Sequence, residues 1–150
     1  MRTIVMAAAG LLSGCGVPPM GHLSPSIEVV FPADLSEVEA VEDAEGNLSW
    51  PLTIVVDVDN FSLVAPDAEA ELSAQEGHWH VMCGMEKLAS ITDGSLVAEI
   101  AVEEGDEACA VRPGSILTLG VMLARHDHSV VEVDGVEARD AIELKPQELD

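Results

Sequence analysis

Residues 77–84 read Gly77-His78-Trp79-His80-Val81-Met82-Cys83-Gly84. Imidazole is the commonest protein metal ligand and the usual proton carrier near neutral pH, so two histidines at alternate positions are the first place to look for chemistry. Read as a strand, the segment sends Trp79, Val81 and Cys83 to a core face and sets His78, His80 and Met82 side by side on the other. A second pair, His126 and His128, brackets Asp127. It follows the apolar run 116–124, where Leu117, Leu119, Val121 and Leu123 form a core face and Thr118, Gly120, Met122 and Ala124 the opposite one. Continued in register, that opposite face reaches His126 and His128. If this run pairs antiparallel with 77–83, the start of one strand lies beside the end of the other. His78, His80, His126 and His128 then meet, with Met82 and Met122 nearby and Gly120 leaving room. Imidazole with thioether suits copper; imidazole with a carboxylate, here Asp127, suits zinc. No sequence pattern sets the register this requires. The alternative is that the histidines serve the fold, bonding loop carbonyls or pairing with carboxylates in a chain of 28 acidic and six basic residues.

Other chemistry finds little support. Asp127 and its neighbours diverge in a strand and make no triad, and no Ser or Cys sits in a nucleophile motif, so a non-catalytic binding domain is expected. Asp57 and Asp59 share the polar face of a strand, but no calcium-loop order of ligands surrounds them, and they read as a solvated face. There is no tyrosine, and Trp50, Trp79, Phe31 and Phe61 suit a core or turns, which disfavours carbohydrate binding. A net charge of −22 repels nucleic acid and anionic headgroups.

The elements that must position these residues are short strands. Runs at 27–31, 52–59, 77–83, 87–91, 96–102, 116–124, 130–133 and 140–144 carry alternating or β-branched patterns. Turn signals separate them: Asp43 to Asn47, Gly84, Asp93-Gly94, Gly105, Pro113-Gly114 and Asp134-Gly135. Segment 36–43 is ambiguous between an irregular strand and a single turn. No stretch sustains a 3.6 period. About seven strands at this spacing predict an all-β antiparallel sandwich.

The three cysteines divide by position. Met1-Arg2 and the short apolar run 3–12 read as a signal h-region, too short to span a bilayer. The Leu12-Ser13-Gly14-Cys15 that follows resembles the lipobox of bacterial lipoproteins. The resemblance implies lipidation of Cys15, cleavage before it and, because Gly16 rather than Asp comes next, the outer membrane of a Gram-negative cell. The membrane is thus an expected partner through the lipid alone; a protein partner is not specified. Outside the cytoplasm, Cys83 and Cys109 are expected to pair, with two buried free thiols as the alternative. The expected organisation is a signal at 1–14, a Pro- and Gly-rich tether at 15–26 that includes His22, and one domain at 27–150.

That domain resembles a group of exported bacterial Ig-like β-sandwich domains of unknown function. The resemblance rests on Val-Asp-Val-Asp-Asn-Phe at 56–61, Gly77-His78-Trp79-His80-Val81, and Asp127-His128-Ser129 after a long apolar strand. It implies an Ig-like fold with two histidine-bearing segments and no settled activity. Cys83-Gly84 stands where the group often has Asp-Gly, and His126 where another polar residue is common. Two functions follow for test: a copper- or zinc-binding envelope domain, and a structural or interaction module with no small ligand.

Overall fold

The computed structural model describes residues 23–149; the signal, the lipobox with Cys15, and His22 lie outside them. The described residues are all-β, with no helix. Strand β1 (Ser26–Phe31) is followed by two short pieces, β2 (Ser36–Val38) and β3 (Val41–Glu42), where the pattern was ambiguous. Strand β4 (Leu48–Asp59) begins four residues earlier than its alternation suggests and takes in Trp50 and Pro51. Next come β5 (Ser62–Leu63), β6 (Glu76–Cys83), β7 (Glu86–Ile91) and β8 (Val97–Glu103). The chain ends with β9 (Leu117–Ala124), β10 (Glu132–Val133), β11 (Val136–Glu137) and β12 (Arg139–Pro146). Among the described residues there are twelve strands, seven of six residues or more and five of two or three.

The strands form two main sheets. In one, β1 and β3 pair antiparallel along one edge of β4 and β8 along the other. In the other, β12, β9 and β6 are successive antiparallel neighbours, with β7 beyond β6. The antiparallel expectation has two small exceptions, because β2 runs parallel to β12 and β5 parallel to β6. The run expected as a strand at 130–133 is divided. Val130 makes an isolated bridge to Ala124, and β10 turns through Asp134 and Gly135, both at positive φ, into β11, as a two-residue hairpin loop requires.

Alternation explains the core. Trp50, Leu52, Ile54 and Val56 of β4 meet Trp79 and Val81 of β6, Leu117, Leu119, Val121 and Leu123 of β9, and Ile142 and Leu144 of β12 in one buried cluster fed by both sheets. Each buried tryptophan ring has its polar edge satisfied: Trp50 donates to the Gln147 carbonyl and Trp79 to the Ser95 carbonyl. Cys83 and Cys109 are disulfide-bonded, with Cα atoms 5.1 Å apart, tying the end of β6 to the loop after β8. Closing a loop of this length stabilises the fold by roughly 3 kcal/mol in the chain-entropy model.

Candidate metal centre

Pairing of β6 with β9 decides which side chains share the histidine face. His78 lies opposite Ala124, His80 opposite Met122 and Met82 opposite Gly120. Gly77 makes this approach possible. A Cβ built on it would collide with the Ala124 carbonyl oxygen, so only glycine lets the start of β6 lie against the end of β9. His78 and His80 are buried, at 0% and 2% exposure, although they face away from Trp79 and Val81. The strand is therefore covered on both faces at this end.

The second histidine segment arrives differently. The sequence reading continued β9 in register through His126 and His128, but the strand ends at Ala124. Arg125 donates to the Ser129 carbonyl and His128 to the Arg125 carbonyl, which closes a three-residue hairpin loop of His126, Asp127 and His128. His128 has φ 65, the left-handed position normally given to glycine in such loops. That conformation is disfavoured for a side chain with a Cβ and is worth explaining where it occurs. Here it brings the ring back onto β6.

Three ring nitrogens converge. His78 Nε2 lies 2.9 Å from His80 Nε2 and 2.9 Å from His128 Nδ1, and His128 Nδ1 lies 3.4 Å from His80 Nε2. Tetrahedral ligands at about 2.0–2.1 Å from zinc are about 3.3 Å apart, so the trio needs to open by only about a few tenths of an ångström. Each converging nitrogen is either a donor or a lone pair, so in any triangle at least one pair must be like facing like. A cation accepting all three lone pairs removes that conflict. The set could hold a metal ion, and among the described residues no fourth His, Cys, Asp or Glu joins it. His78 Nδ1 is buried without a hydrogen-bond partner, so its ring is oriented by packing rather than by a supporting carboxylate.

Burial lowers the His78 pKa from 6.5 to about 4, helped by the charges of His128, Lys87 and His126. Burial likewise lowers His80 from 6.5 to about 4, with His78, Lys87 and His128 adding to it. Both rings are therefore neutral, with lone pairs available, throughout the range in which imidazole ordinarily titrates.

Four of the expected ligands fall outside the trio. His126 is buried but turns away: its Nδ1 accepts from the Asp67 backbone N–H at 3.0 Å, and its Nε2 lies 3.2 Å from Glu76 Oε1. Two residues along a turn point in different directions, whereas the extended register assumed for 126–128 would have aligned them. Asp127 is exposed, and its carboxylate accepts from the backbone N–H and hydroxyl of Ser129. Those bonds hold its pKa below the usual carboxylate value, so it serves the turn. Met82 and Met122 share the histidine face but line a neighbouring cavity that no histidine lines. Sequence reasoning missed Glu76 and Asp67 as partners of His126, and the part played by Gly77. Only the pair of glycines bounding the histidine strand signalled the last.

The outer side of the centre opens through His128, which is exposed. Beside it lies a cleft lined by Pro66, Asp67, Leu72, His126 and Asp127. No family model, curated protein or solved structure matches the chain.

Proposed function

We propose that this is a lipid-anchored, non-catalytic metal-binding domain of the bacterial envelope whose centre, His78, His80 and His128, takes copper or zinc. One observation carries the reading: three imidazole nitrogens within 3.4 Å of one another in a mostly buried site, an arrangement that hydrogen bonding alone leaves in conflict. Three imidazoles with a free fourth position suit Zn(II) and Cu(II). The structural alternative describes His126, whose two ring nitrogens both have protein partners.

The Ig-like assignment is supported by topology. Pairing of β1, β4 and β8 against β12, β9, β6 and β7 parallels the two sheets of such sandwiches, and the buried Trp79 occupies the strand where they commonly carry a core tryptophan. Envelope location is supported by the lipobox resemblance at Cys15 and by the Cys83–Cys109 disulfide, which belongs to an oxidising compartment. Cys15→Ser is expected to abolish lipid labelling and processing; unchanged anchoring of that variant would remove the lipoprotein reading.

Isothermal titration of untagged protein with Zn(II) and Cu(II) tests the centre. Wild type is expected to bind one ion at the trio, and the His80→Ala/His128→Ala variant to lose affinity by at least about a hundredfold. Circular dichroism of the variant checks that the fold survives. Equal binding by a folded double variant would overturn the assignment.

A further inference from the structure

Beyond the histidine trio, the same sheet face carries a cavity lined by Met82, Met85 and Met122. These are all the methionines among the described residues; the other three of the chain lie at positions 1, 6 and 20. Apolar packing accounts for Met82 and Met122, which are half-buried. It does not account for Met85, which is 92% exposed in the turn between β6 and β7. An unbranched thioether held out at a hairpin tip contributes almost nothing to a core.

The floor of the cavity is kept clear by Gly120, which lies opposite Met82 across β6 and β9. A Cβ there would stand 3.6 Å from the Met82 Cβ. Thr118 and Ala141 add small side chains to the same wall. The one cationic side chain of the lining, Arg139, is ion-paired to Glu137. Thioether sulfur is a soft ligand that selects Cu(I), and it gives little to Zn(II) or to hard cations. Being neutral, thioethers do not need to lose a proton to bind.

We propose that Met82, Met85 and Met122 form a second metal site, selective for Cu(I) and separate from the histidine centre. Met85 is the arm that closes over the ion. The two sites sort copper by oxidation state, imidazoles taking Cu(II) and thioethers Cu(I). The site stands on its own ligands, so it does not depend on the histidine centre binding anything.

Anaerobic titration with Cu(I), competed against bicinchoninate in ascorbate so that the disulfide is kept, tests this. The protein compared is the His80→Ala/His128→Ala variant with its methionines intact, beside the same variant carrying Met82→Leu, Met85→Leu and Met122→Leu. The first is expected to hold one Cu(I), with sulfur ligation visible by X-ray absorption, and the second to bind at least about tenfold more weakly. Met85→Leu alone, at an exposed position, gives a weakened site in a protein whose stability is unchanged. In the protein that keeps all its histidines, Zn(II) binding at the trio is expected to be the same with and without the three Met→Leu substitutions. Cu(I) retention by the folded methionine-free protein, or no Cu(I) held by the histidine-free one, overturns the proposal. Zn(II) affinity falling with the methionine substitutions would also overturn it, by placing the thioethers in the histidine centre.

Discussion

Strand β6 and the hairpin loop at 126–128 each present two histidines separated by one residue, yet they use them in opposite ways. On the strand, the two-residue period puts His78 and His80 on one face, and both enter the centre. In the loop, the chain reverses, and only His128 enters; His126 fastens the loop before β6 through Asp67 and the first residue of β6 through Glu76. The same spacing therefore means convergence in an extended backbone and divergence in a turn. His-x-His acquires chemical meaning only with its φ and ψ values.

The two regions differ in how they respond to protons, which offers the largest test. His78 and His80 have folded pKa values near 4, below the 6.5 of an unfolded chain. Between pH 6.5 and about 4 the unfolded chain therefore binds more protons, and metal-free stability falls as pH falls. The contribution is fully present above pH 6.5 and gone below about 4. A shift of this size corresponds to about 3 kcal/mol for one ring, and less than twice that for two coupled rings. Urea melts at stepped pH should show the decline in wild type and a much flatter profile in the His78→Phe/His80→Phe variant. An equally steep profile in both would assign the acid sensitivity to other groups.

A smaller effect is expected where the two regions touch. Gly77→Ala forces a side chain against the Ala124 backbone and should cost about 1–3 kcal/mol in denaturant melts. It should also weaken metal binding by displacing His78 from the loop that carries His128. Binding that stayed intact in a destabilised variant would show that the trio tolerates a shift between β6 and β9.

The smallest effects separate the two loop histidines. His126→Ala should lose about 1 kcal/mol through its broken contacts and keep metal affinity nearly unchanged. His128→Gly should do the reverse, gaining up to about 1 kcal/mol by relieving its left-handed backbone while losing a ligand. Paired thermal melts and titrations read both quantities. Destabilisation by His128→Gly would mean that its ring supports the apo fold more than its backbone strains it.

Much of this protein follows from local pattern. Alternation at Leu52, Ile54, Val56 and at Leu117, Leu119, Val121, Leu123 is enough to call for an all-β fold, because side-chain period 2 is a property of any extended chain. Pairing of Cys83 with Cys109 was expected from cysteine number and an exported context, whereas the pairing of β6 with β9 entered only as the condition on which the histidine cluster rested. The tertiary structure alone decided the rest. It set the register that puts His80 opposite Met122, the burial of the second face of β6, the end of β9 at Ala124 and the left-handed residue His128. The physical reason is that periodicity repeats identically whichever way a strand slides, and a turn's direction depends on hydrogen bonds between distant residues. A bond from Asp67 to His126 spans 59 positions of sequence, and no local pattern at either end foretells it.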